Sequence, residues 1–171
     1  LKPGRLELIR QRAKFTDKLM TQNRPMPYDI QLKRIYDKGA ADDGARVLTD
    51  RLWPRGLRRE RLDLAQWYTK AAPPAPMRKA YHQQKLTEQE FSAAYKTWLQ
   101  AHPELLTPLL CLARQGRLTL LTATRDAQHS YLFILRESIT TELMREDEQA
   151  DGHETASPVC YASMFEAQDK D

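Results

Sequence analysis

Long apolar runs are missing from this chain of 171 residues. Nothing approaches the roughly 20 consecutive apolar residues of a membrane-spanning helix, so no membrane partner is expected. No short apolar block follows a basic start, which argues against a secretory signal. Cysteine is scarce as well: Cys111 sits in an apolar run as a small core residue and Cys160 lies far away in a polar tail. Two thiols make no disulfide framework and neither has metal-ligand spacing around it, so no metal is expected and the setting reads as reducing and cytoplasmic. A glycine-rich phosphate loop, a nucleophile elbow and a zinc-binding histidine pair are also lacking. No cofactor and no familiar mechanism is spelled out.

What remains is a polar chain with one core. Charged residues make up 29% and apolar residues 41%, and the mean hydropathy is −0.70. The length suits one domain and is short for two. The net charge of +4 is a near-cancellation. Residues 1–27 carry seven Lys/Arg against two acids, residues 141–171 carry two against nine, and the middle carries eighteen against twelve, with twelve of those eighteen bases arginine. An arginine-rich centre suits anionic partners, because guanidinium offers forked donors that match phosphate or carboxylate bidentately.

The expected organisation is a basic extension over 1–27, a domain over 28–140 and an acidic tail over 141–171. In the extension Leu6, Ile9, Ala13 and Leu19 fit a short amphipathic helix that Pro25 and Pro27 break, and Met26 reads as an authentic start. In the tail, residues 145–152 are dense in acids and the last helix is expected to fade there into a mobile tail, in which residues 159–165 read as a weakly docking segment. Between these ends residues 29–36 and 45–49 read as strands, separated by the turn signal Asp42-Asp43-Gly44. Thr87 and Glu90 have capping-box spacing, with Phe91, Tyr95, Trp98 and Leu99 on one face behind them. A further helix closes near Gly116, with Pro108 starting or kinking it. Residues 117–122 look like a central strand buried on both faces. Asp126 or Thr124 reads as the cap of a last helix that buries Leu132, Phe133, Leu135 and Ile139. The fold class is α/β, a small parallel or mixed sheet covered by helices in three layers.

In such sheets ligands bind beyond the carboxyl ends of the strands. Two charged loops occupy that place. Residues 50–61 hold Asp50 and then five arginines, with Trp53 and Pro54 stiffening the loop, Gly56 relieving it and Asp50 placed to hold Arg51 or Arg55. Residues 122–130 hold Thr122, Thr124, Arg125, Asp126, His129 and Ser130. A proline loop over 72–76 then leads into a helix on which Arg78 and His82, four apart, share a face. Arg51, Arg55, Arg78 and Arg125 are the candidate anion ligands; Asp50, Asp126 and His82 are the candidate catalytic groups, His82 for proton transfer. The plainer alternatives are that Trp53 anchors the loop in the core, that Arg58, Arg59 and Arg61 face solvent, that Arg78 pairs with a loop acid and that Asp126 merely caps a helix.

These segments carry a resemblance. Lys33-Arg34-Ile35-Tyr36-Asp37, Asp43-Gly44-Ala45-Arg46-Val47-Leu48, Asp50-Arg51-Leu52-Trp53-Pro54-Arg55-Gly56, Ala72-Pro73, Met77-Arg78-Lys79, and Leu118-Thr119-Leu120-Leu121 with Arg125-Asp126 are similar, in order, to the YeaO-like family of bacterial domains of unknown function. The likeness runs from about residue 28 to about residue 140. It implies a small cytoplasmic α/β domain and brings no established reaction. The chain departs from the family pattern at Thr69, where a lysine is usual and Lys70 follows, at Pro74 for a serine, at Ala80-Tyr81 for an aromatic pair and at Ser130 for an asparagine. Those departures put any chemistry carried by the missing polar groups in doubt.

Three readings follow. The first is an enzyme-like pocket at the strand ends for a phosphate-bearing or nucleotide-like small molecule, with Arg51, Arg55 and Arg78 clamping the anion. The second is a non-enzymatic binder of nucleic acid or of a protein through the basic face over 51–61; nucleic acid is disfavoured because no recognised module for it is present. The third is a degenerate relative that keeps the fold without the chemistry.

Overall fold

The computed structural model describes residues 28–150. The expectations for the leading helix, the start at Met26 and the docking of 159–165 lie outside the described residues. Four strands form one wholly parallel sheet: β1 (Ile30–Arg34), β2 (Ala45–Leu48), β3 (Gln66–Trp67) and β4 (Leu118–Thr122), in the order β1-β4-β2-β3. β4 is central. Leu32 of β1 and Val47 of β2 both lie in register with Leu120, and all five β4 residues are buried, as a strand flanked on both sides and covered on both faces requires.

Alternation along the strands divides the core in two. Ile30, Leu32, Val47, Leu118 and Leu120 face a layer made by α1 (Ala75–His82), α2 (Glu88–Ala101), α3 (Thr107–Gln115) and α4 (Tyr131–Gln149). Leu48 and Leu121, with Ile35 just past the end of β1, face the other way, against Trp53, Leu57, Leu62, Leu64 and Trp67. That third layer is the β2–β3 connection, which has one 3-10 turn at Arg59–Arg61. The three layers are therefore helices, sheet and a packed loop.

Helix starts follow the sequence chemistry. At α2 the Thr87 hydroxyl accepts from the Glu90 N–H and the Glu90 carboxylate accepts from the Thr87 N–H, the reciprocal capping box. Phe91, Tyr95 and Leu99 are the buried face of this helix, with Trp98 packed at its margin. Pro108 falls in the first turn of α3, where its missing N–H costs nothing. The turn before β2 is set by Gly44 at φ +65°, where a Cβ would collide with the Arg117 carbonyl.

Four readings need correction. β3 was not expected; its two residues are too few for any period to show. Phe133 does not join the buried face of α4: it is 44% exposed, with the Arg136 guanidinium 5.0 Å from its ring centre. Ser130, not Asp126 or Thr124, caps α4, its side chain accepting from the Leu132 N–H. Cys111 is buried on α3 as expected, yet it is disulfide-bonded and not a free thiol. α4 ends at Gln149, inside the acid-dense stretch where the last helix was expected to fade, and so carries part of the acidic segment past residue 140.

Candidate functional site

The loop after β2 and the loop after β4 meet because their strands are neighbours. Asp50 joins them. Its Oδ1 accepts from the Thr122 hydroxyl at 2.8 Å and the Tyr131 hydroxyl at 2.7 Å, and its Oδ2 accepts from the Ala123 N–H at 2.6 Å. The Tyr131 hydroxyl also lies 3.0 Å from the Thr49 hydroxyl. Burial, followed by the Asp50 charge, raises the Tyr131 pKa well above its ordinary value, so this phenol stays protonated and keeps donating. Asp50 therefore holds two loops and a helix start together, and it does not hold Arg51 or Arg55 as expected.

The rest of the arginine loop is fixed by its aromatics. The Trp53 indole N–H donates to the Leu57 carbonyl at 2.8 Å, and the Trp67 N–H donates to the Asp50 carbonyl at 2.7 Å. The two indoles meet edge to face at 5.2 Å. From the turn after β1, the Tyr36 hydroxyl donates to the Arg55 carbonyl at 3.1 Å. Gly56 takes φ +78° at the turn, which a side chain there would strain. The result is a loop whose backbone is pinned while its arginine side chains stay exposed.

Between these loops and the α1–α2 corner lies a pocket of about 620 Å³. Asp50, Arg55, Arg78 and His82 line it, together with Tyr36, Trp53, Tyr81, Phe91, Ser130 and Tyr131. Arg78 and His82 arrive together because they are one turn apart on α1, as the four-residue spacing implied. Arg78 makes no ion pair among the described residues, and its Nε is buried without a hydrogen-bond partner, so it is not held by a loop acid. Arg51, Arg125 and Asp126 do not line the pocket. Asp126 is turned to His129, taking its backbone N–H at 3.1 Å and its ring Nδ1 at 2.7 Å. Those contacts hold the Asp126 carboxyl below its ordinary range.

Several groups at the site were not singled out from sequence. Tyr36, Tyr81, Phe91 and Tyr131 bring an aromatic lining, and Glu88 brings a second acid. Tyr131 had a usable signal, being the first residue of a helix that follows a charged strand-end loop. The others depend on how the α1–α2 corner folds back over the strand ends.

The fold and site define a small parallel α/β domain with a loop-built pocket at the carboxyl ends of its strands. The family described as "Inactive DUF488-N3 subclade" matches residues 29–162. The chain is 34% identical over 107 residues to the uncharacterized protein YeaO of Escherichia coli, covering 63% of this chain and 93% of that protein. It is 33% identical over 106 residues to the uncharacterized protein Rv3073c of Mycobacterium tuberculosis, covering 62% and 89%. This protein belongs to the YeaO-like DUF488 family. No solved structure matches it.

Proposed function

We propose that this protein is a non-catalytic member of its family that holds an anionic small molecule at the strand carboxyl ends. The observation that carries this reading is the division of labour inside one pocket. The Asp50 carboxylate is consumed by three donors, whereas Arg55 and Arg78 line the same space without an ion pair among the described residues and the Arg78 Nε lacks any acceptor. Cationic donors without partners favour an anion. A carboxylate already saturated with hydrogen bonds is a poor general base, because taking a proton would break them.

The description of the matching family as inactive supports the non-catalytic half. His82 remains in the pocket as an exposed imidazole, and in this reading it helps to bind the anion. Asp126 and Arg125, outside the pocket, take no part.

Calorimetry on the full chain against inorganic phosphate, nucleotides, sugar phosphates and small carboxylates tests the proposal. Binding of at least one anion is expected, weakened tenfold or more by Arg78→Ala and untouched by Lys79→Ala. A panel with no Arg78-dependent binding would overturn it. Turnover of the bound anion would overturn its non-catalytic half.

A further inference from the structure

We infer that the anion is a flat aromatic ring bearing a single negative charge, an aromatic carboxylate. This rests on the anion-binding reading above and names the ligand class for the same pocket.

Exposed apolar surface is concentrated at this pocket. Four large hydrophobic side chains are exposed among the described residues, and three of them, Tyr36 (42%), Leu52 (74%) and Tyr81 (37%), line it. An apolar patch gathered around a cavity marks a surface meant to be covered. A bare phosphate or a small sugar phosphate would leave it wet.

The covering group is flat because the surface is aromatic and already organised. Tyr81 packs on Phe91 with ring centres 4.7 Å apart and planes tilted by 31°. Trp53 is pinned by its own hydrogen bond and by the edge-to-face contact with Trp67. Rings held in place this way accept another ring by offset stacking or edge contact with little further ordering. A pocket of about 620 Å³ falls within the usual range for small-molecule sites and holds a molecule of one or two rings.

The single charge follows from the balance of the lining. Arg55 and Arg78 share the lining with two carboxylates, Asp50 and Glu88, and with the imidazoles of His82 and His129. A monoanion is matched by the unpaired Arg78 donor, with the N-terminal end of α4 at Ser130 and Tyr131 adding a favourable dipole. A dianion would meet two carboxylates in the same confined space.

A matched series measured by calorimetry on the full chain separates these terms: 2-naphthoate, its saturated counterpart decahydro-2-naphthoate, neutral 2-naphthalenemethanol and dianionic 2-naphthyl phosphate. The expected result is that 2-naphthoate binds at least tenfold more tightly than each of the other three. Tyr81→Ala should erase most of its advantage over the saturated acid, Tyr81→Phe should keep it, and Arg78→Gln should weaken both acids alike. Equal affinity for the flat and saturated acids, or tighter binding of the phosphate, would overturn the inference. If those ligands still bind through Arg78, the anion-binding reading survives and only the ligand class fails. If no member of the series or of the earlier panel depends on Arg78, both fail.

Discussion

Asp50 shows what a single residue does here and how poorly its neighbours in sequence foretold it. The arginines beside it are its apparent partners on paper, whereas its actual donors stand 72, 73 and 81 residues away. Only the packing of β2 against β4 brings them within reach. Arg78 and His82 were legible because helical spacing is a local property. Asp50→Ala should leave the Ala123 N–H without its acceptor and take the carboxylate from the Thr122 and Tyr131 hydroxyls at a part-buried site, at a cost of roughly 2–4 kcal/mol in urea unfolding. Arg55→Ala, at an exposed side chain, should stay within about 0.5 kcal/mol while still weakening anion binding. Asp43 gives a pH prediction of definite sign. Burial would raise its carboxyl, but the Lys33 ammonium, the Ala40 N–H and Arg46 outweigh burial and hold it below the ordinary 3.8. Its contribution to stability is thus complete above that value and lost as pH falls through the lower, folded one. Urea midpoints measured from pH 6 down to pH 3 should drop at the acid end for the native chain. Asp43→Asn should start lower, with Lys33 and Arg46 left without their partner, and fall less steeply.

At the scale of elements, the parts with a strong local signal were readable and the parts defined by contact were not. The apolar run at β4, the capping box of α2 and the turn before β2 each state their structure in a few residues. β3 exists only because Val47 and Leu48 pair with Gln66 and Trp67. Phe133 fits an apolar face by spacing, but α4 turns that position outward, toward Arg136. Two glycines with positive φ separate conformational preference from collision. At Gly56 a Cβ would meet nothing within 4 Å, so Gly56→Ala should cost only the left-handed penalty of about 1–2 kcal/mol. At Gly44 the same penalty is joined by collision with the Arg117 carbonyl oxygen, which accepts the Ala45 N–H at the start of β2. Gly44→Ala should therefore lower the melting temperature clearly more than Gly56→Ala, and thermal unfolding of the two variants side by side checks the order.

For the molecule as a whole, the charge split by segment gives an acidic tail after residue 140, yet α4 makes the start of that segment part of the domain. Leu143 is fully buried in the main core. Beyond it the Arg114 guanidinium of α3 pairs with Glu146 at 3.1 Å and with Asp147 at 2.9 Å, and the Tyr28 hydroxyl donates to Asp147 at 2.6 Å. The end of the last helix is thereby tied to the segment that enters the first strand. Composition alone reads this stretch as solvated charge, because its single apolar anchor sits among acids. The two contributions differ in size. A fully buried leucine cut to alanine loses its transfer free energy and leaves a cavity, about 2–5 kcal/mol, whereas partly exposed ion pairs are worth about 1 kcal/mol or less. Leu143→Ala should accordingly destabilise the whole domain in one cooperative transition, with the urea midpoint falling in far-ultraviolet circular dichroism and tryptophan fluorescence together. Asp147→Asn should shift that midpoint only slightly, by an amount that shrinks further in high salt as screening weakens the Arg114 pairs. A Leu143→Ala chain that loses helix signal alone, with its fluorescence transition unmoved, would show instead that the end of α4 unfolds separately from the rest of the domain.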